Sequence, residues 1–150
     1  FRGANKVTLD AKGRMAMPAR YRDTLVERSE GRLVVTVDRA DRCLLIYPLP
    51  DWEEIERKLM RLPTLNPQAR RLQRLMVGHA TDLEFDSHGR VLVPPKLREY
   101  AGLTRQAMLI GQGSRFELWD EQHWNERRDA WLQAGEETGQ LSSELEQLSL

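Results

Sequence analysis

Apolar positions alternate with polar ones at Val7 and Leu9 and again at Met15 and Met17, with Asp10-Ala-Lys-Gly13 between them. That spacing predicts two half-buried strands about a tight reversal, with Gly13 in the left-handed region. Pro18 ends the second strand and opens a helix over Ala19–Arg28, because its fixed φ and missing N–H suit a first helical turn. Leu33–Val37 and Cys43–Tyr47 read as a strand pair around residues 38–42. A helix follows, with Asp51 as its expected N-cap and Trp52, Ile55, Leu59 and Leu62 on one face. Asn66-Pro67 caps a further helix, Pro67–Val77.

The same grammar then recurs. Leu83 and Phe85, Gly89, Val91 and Val93 repeat the opening pattern, and a helix over Pro95–Ala101 stops at Gly102. Ala107–Gln112 and Arg115–Trp119 form a second strand pair turning around Gly111 and Gly113. Their helix runs over Glu121–Ala134, with Trp124 and Trp131 on one face and Gly135 ending it. Asp10-Ala-Lys-Gly-Arg14-Met-Ala-Met-Pro18-Ala-Arg20-Tyr-Arg22 aligns without gaps on Asp86-Ser-His-Gly-Arg90-Val-Leu-Val-Pro94-Pro-Lys96-Leu-Arg98, at a constant offset of 76. A 150-residue chain with that offset is a duplicated module of about half its length. The expected organisation is a first module with its C-terminal helix over residues 1–65, a basic connecting helix over 66–78, a second module over 79–135, and an acidic tail over 136–150.

Charge changes this picture once it is resolved along the chain. Lysine plus arginine and aspartate plus glutamate each number 23, a neutrality that by itself argues against nucleic acid. Yet residues 117–150 hold nine acids against Arg127 and Arg128, a net −7, so the remainder carries +7. Residues 1–25 carry six cations against Asp10 and Asp23; residues 79–105 carry four against four acids. The first copy is therefore the more basic. In the tail, Leu141, Leu145 and Leu148 have the spacing of a weak helical stripe. That segment reads as solvated surface, as a partner for basic surface on a neighbouring subunit, or as a competitor with DNA for the basic face.

Cys43 is the single cysteine and no CxxC spacing occurs, which excludes a disulfide scaffold or a zinc finger. No apolar run approaches the ~20 residues that span a bilayer, and the opening stretch has no signal-peptide core. A reducing cytoplasm is expected. His79, His88 and His123 lack i,i+4 spacing, and nucleophile-elbow, zincin, P-loop and GxGxxG patterns do not occur, so no enzyme activity, cofactor or metal is expected. Asp86-Ser-His88 falls opposite Asp10 and Lys12 in the other copy, so the repeated frame does not require a ligand there.

The two Asp-x-x-Gly-Arg turns are the sharpest chemical feature. Asp and Arg flanking a reversal can meet across it, fixing the guanidinium while leaving donors free for phosphate or a base edge. Val-Thr-Leu-Asp-Ala-Lys-Gly-Arg-Met-Ala-Met-Pro, repeated as Leu-Glu-Phe-Asp-Ser-His-Gly-Arg-Val-Leu-Val-Pro, resembles the MraZ family of bacterial transcription regulators, over essentially the whole chain. The resemblance implies an α+β fold of two duplicated AbrB/SpoVT-type swapped-hairpin modules, interlaced into one β-barrel as a pseudo-dimer within the chain and flanked by helices. It places the family's Asp-x-x-x-Arg motif on Asp10/Arg14 and Asp86/Arg90. It further implies a repressor, nucleoid-associated, that assembles into a closed ring and binds direct repeats of double-stranded DNA in the promoter of a division and cell-wall gene cluster including its own gene.

Within that frame Lys12 and Arg14 are the expected DNA contacts at the turn, Lys6 adds phosphate attraction, and Arg90 is a weaker or structural equivalent. Asp10, Gly13, Asp86 and Gly89 support the motif. Arg20, Arg22, Lys96 and Arg98 fit DNA contact or a solvated helix face equally well. Antitoxin-type proteins of the same frame, which bind a toxin through an appended tail, are the alternative; those carry one copy and a long disordered segment, whereas this chain has two copies and a short tail.

Overall fold

The structure is a computed structural model and describes residues 1–138 and 142–149. In chain order its elements are β1 (Arg2–Thr8), β2 (Arg14–Ala16), α1 (Ala19–Ser29), β3 (Arg32–Val37), β4 (Leu44–Pro48), α2 (Leu49–Met60), α3 (Pro67–Met76), β5 (Thr81–Glu84), β6 (Arg90–Leu92), α4 (Pro95–Tyr100), β7 (Gln106–Gln112), β8 (Arg115–Asp120), α5 (Glu121–Thr138) and α6 (Ser143–Glu146). The fold is α+β, with every strand pair antiparallel.

Strands pair across the two halves of the chain. The main sheet runs β1-β7-β8-β4-β3-β5, and β2 and β6 form a separate two-stranded ribbon. The expected local reversal of β1 onto β2 shrinks to a single bridge, Leu9 with Met15. Beyond it β1 pairs with β7, while in the other half β5 pairs with β3. Met15 faces Val91, its own repeat equivalent 76 residues on, and Leu45 faces Glu117, 72 residues on. These two self-facing pairs lie on a local two-fold axis relating the halves. The offset shrinks along the chain because the second half has shorter connections, such as the six-residue α4 against the eleven-residue α1. The sheet is not hydrogen-bonded into a closed barrel: β1 and β5 are its edges.

The cross-half pairing follows from where the apolar residues go. Val7, Leu9, Met15, Met17, Leu33, Val35, Ile46, Val91, Val93, Leu109, Phe116 and Leu118 form one buried cluster on the inner face of the sheet, and neither half completes it alone. The opposite face of β3 and β4 presents Val34, Leu45 and Tyr47 to Trp52 and Leu59 of α2 and Met76 of α3. Burying a side chain of this size contributes roughly 1.5–3 kcal/mol, so the two-sided burial of β3 and β4 explains their near-continuous apolar runs.

Three local expectations change. Helix α2 begins at Leu49, with Pro48 preceding it and Pro50 tolerated in its first turn, so Asp51 lies inside that turn and its carboxylate accepts a 2.7 Å bond from Arg28 Nη2. Helix α5 continues through Gly135 to Thr138. Only Gly113 occupies the β7–β8 turn, at φ 72; Gly111 lies within β7, where the backbone of Arg2 approaches too closely for a β-carbon. Asn66 does cap α3, accepting from the amides of Gln68 and Ala69. Of the tail leucines, Leu145 and Leu148 are exposed, and Leu141 lies outside the described residues.

Candidate nucleic-acid interface

Both Asp-x-x-Gly-Arg turns close in the same way. The Asp10 carboxylate accepts from the amides of Lys12 (3.0 Å) and Arg14 (2.9 Å) through Oδ1, and from Arg14 Nε (2.7 Å) through Oδ2. Asp86 repeats this with His88 (2.8 Å), the Arg90 amide (2.9 Å) and Arg90 Nε (2.9 Å). One carboxylate thus satisfies the turn's amides and holds the guanidinium through its Nε. The Arg14 amide, then the guanidinium and the Lys12 amide, hold Asp10 down to about 2 from its usual 3.8. Asp86 is lowered by the Arg90 amide first, then by the His88 amide and the Arg90 side chain. Both carboxylates are therefore charged at any physiological pH.

The two turns are also locked to each other. Val93 N–H donates to Gly13 O (3.0 Å) and Met17 N–H to Gly89 O (3.3 Å), so each glycine carbonyl supports the other half's strand. Gly13 at φ 86 and Gly89 at φ 72 occupy left-handed backbone, and a β-carbon on Gly13 would overlap the Arg98 guanidinium, one on Gly89 that of Arg22. Arg98 is fixed there by a 3.0 Å bond from its Nε to Val93 O. Arg90 Nη1 also reaches Asp10 Oδ2 at 3.8 Å, bringing both motif arginines onto one carboxylate.

Arg14, Arg90, Arg98 and Arg105 line a concave surface of about 770 Å³ together with Thr8, Leu9 and Asp10. Four guanidinium groups around one carboxylate make it an anion-attracting surface. Its charge comes from both halves: Arg98 and Arg105 of the second half stand beside the turn of the first. Residue type alone leaves Arg98 and Arg22 open between DNA contact and solvated helix face, and it does not single out Arg105. The signal for the first two was the recurrence of arginine at the same repeat position, 22 and 98.

The remaining expected site residues are placed as follows. Lys12 is exposed at the turn. Lys6 projects from β1 away from buried Val7, and its Nζ lies 3.2 Å from Glu121 of α5. Arg20 Nη2 bonds Asn5 Oδ1 (3.1 Å) and the Tyr21 hydroxyl (2.6 Å), which itself donates to Arg2 O. Among the described residues one trio, Asp38, Cys43 and Glu117, converges within 4.8 Å as a metal site would. Burial, then Glu117 and Asp38, push the Cys43 thiol up, while Asp38 Oδ2 accepts from the Asp41 amide at 3.0 Å and Glu117 Oε1 from Trp119 Nε1 at 3.0 Å. Among the described residues no helix is long and apolar enough to cross a membrane.

Comparison with known proteins fits this duplicated arrangement. A family model described as an antitoxin-like MraZ protein matches residues 1–75 and again residues 76–139. The chain belongs to the MraZ family. It is 59% identical over 150 residues to the transcriptional regulator MraZ of Thioalkalivibrio sulfidiphilus, covering 100% of this chain and 99% of the relative. It is 58% identical to that of Halorhodospira halophila and 57% to that of Pseudomonas aeruginosa, again over 100% of this chain and 99% of each relative. MraZ relatives carry the name of transcriptional regulators, a non-enzymatic family.

Proposed function

We propose that this protein is a sequence-specific DNA-binding regulator that reads promoter DNA with its paired turns. The observation that carries this reading is the convergence of Arg14 and Arg90 on Asp10 at a concave surface shared with Arg98 and Arg105. Lys12, Arg14 and Arg90 contact DNA, with Lys6 supplying longer-range attraction to phosphate; Asp10, Asp86, Gly13 and Gly89 hold the turns. A guanidinium gripped at Nε keeps two Nη groups for a bidentate contact to guanine, worth about 1–3 kcal/mol of discrimination. The crossed strand pairing supports an AbrB/SpoVT-type swapped hairpin, with residues 1–65 and 79–135 as the two modules.

The protein acts as a repressor in the cytoplasm, at the nucleoid, as a closed homo-oligomeric ring on direct repeats upstream of a division and cell-wall cluster that includes its own gene. Head-to-tail contacts that close into a ring present turns in one repeated orientation, which suits direct rather than inverted repeats, and each bound turn raises the effective concentration of the next. Fluorescence anisotropy with promoter and scrambled duplexes over a salt series tests this. Tighter promoter binding, with log affinity falling linearly in log salt, is expected; equal affinity for both duplexes at every salt concentration rejects the regulator reading.

A further inference from the structure

Glu117 of β8 faces Leu45 of β4, and Cys43 lies two residues before Leu45, so the period of two turns all three side chains to the outer face of the sheet. The turn over residues 38–42 brings Asp38 beside them: its amide donates to Cys43 O at 3.1 Å, and the Cys43 amide donates to Asp41 O at 2.9 Å. One oxygen of Asp38, one of Glu117 and the Cys43 sulfur thereby converge within 4.8 Å of one another. Asp38 and Cys43 belong to the first half of the chain, Glu117 to the second.

The trio has the supports of a ligand set. Each carboxylate is held through one oxygen, Asp38 by the Asp41 amide and Glu117 by the Trp119 indole, which orients it and leaves its other oxygen to accept. Cys43 is 0% exposed, and among the described residues its thiol has one hydrogen-bond partner, Asp38 Oδ2 at 3.9 Å, which is itself in the trio. A fully buried sulfur therefore points into the cluster and is satisfied by nothing beyond it. Among the described residues neither Asp38 nor Glu117 makes an ion pair. The nearby cations are committed elsewhere: Arg127 Nη2 lies 3.5 Å from Asp41, and Arg115 donates to the Tyr47 hydroxyl (3.0 Å) and to Gln112 Oε1 (3.3 and 3.2 Å). Two carboxylates this close repel unless a cation joins them. Both also line a concavity of about 480 Å³ with Ile55, Met76 and Arg115, which gives an ion a way in.

We propose that Asp38, Cys43 and Glu117 form a Zn²⁺ site that clips the β3–β4 turn of the first half to β8 of the second. One thiolate with two carboxylates suits zinc and disfavours Mg²⁺ and Ca²⁺, which take shells of oxygen alone. Ligand atoms at ~2.0–2.3 Å from one tetrahedral ion stand about 3.5 Å apart, so side-chain rotations of about 1 Å close the trio on the metal. The bonds from the Asp41 amide and the Trp119 indole are the outer-shell contacts that orient such carboxylates. As the S–Zn bond forms, the S–H bond breaks and the thiol proton passes to water. The fourth position faces the concavity and takes a water. No spacing motif announces the site, because its ligands come from the end of β3, the start of β4 and the middle of β8.

Cobalt titration of the full chain, stripped with chelator and kept reduced, tests the site. Co²⁺ should bind with a thiolate-to-cobalt charge-transfer band, which stoichiometric Zn²⁺ should abolish; cobalt held by His79, His88 or His123 gives no such band. Cys43→Ser should lose the band. Asp38→Asn/Glu117→Gln keeps the sulfur and should weaken cobalt binding by about tenfold or more. Zinc should raise the Tm of the wild type and leave that of the double variant unchanged. Circular dichroism checks folding; should the double variant or Cys43→Ser unfold, Asp38→Asn alone should show the weakened binding. A wild type without the band overturns the site. So does a band of unchanged affinity in the carboxylate variants, which assigns the cobalt to the thiol alone.

Discussion

At the scale of single residues, the geometry of the paired turns depends on two kinds of group, glycine and a buttressing carboxylate. The glycines of the turns combine positive φ with a close neighbour: at Gly13 a methyl group meets both the backbone penalty and the Arg98 guanidinium, whereas Gly102, at φ 65, has nothing within 4 Å of its β-position. Gly102→Ala should therefore cost about 1 kcal/mol, the backbone penalty alone, and Gly13→Ala about 1–3 kcal/mol, both read by urea unfolding. Equal costs would mean that Arg98 moves away freely. The Asp10 carboxylate is the second kind. Its native pKa of about 2 lies below the usual 3.8, so its contribution to the turn is complete above pH 3.8 and is lost as pH falls toward 2. An NMR titration of its side-chain carbon should show a midpoint near 2; a midpoint near the ordinary value would mean the turn is open in solution.

At the scale of elements, the sequence was most legible where a local signal has a local consequence. Asn66-Pro67 starts α3 because the asparagine oxygen can take two orphan amides and proline has none to lose. Asn66→Ala should lower stability by about 1 kcal/mol in thermal or urea unfolding, with a shift below a few tenths arguing that α3 is held by packing alone. Signals failed where tertiary partners override them. Asp51 looked like a cap, but Pro50 lets the helix begin earlier and Arg28 takes the carboxylate. Gly135 looked like a stop, and α5 passes through it. Gly111 looked like a turn and instead makes room for Arg2.

At the scale of the whole molecule, the repeat was visible and the way its copies combine was not. Alternating apolar residues at Met15 and Met17 identify a strand and its buried face, yet they carry no information on which strand it pairs with; Val91 across the axis satisfies the pattern as well as Leu9 does. The same blindness affected the site. Counting charge by segment divides Arg14 from Arg98 and Arg105, although folding places them around one concavity. Zero net charge is likewise an average over a basic body and an acidic end, with no bearing on whether a basic surface exists.

The central claim is that the two turns, joined through Asp10, form one DNA-reading surface, and a double-mutant cycle on promoter and scrambled duplexes tests it most directly. Arg14→Ala should erase about 1–3 kcal/mol of discrimination between the duplexes. Adding Arg90→Ala to it should cost less than Arg90→Ala does alone, because both guanidinium groups converge on one carboxylate. Full discrimination retained in the double variant would contradict the account.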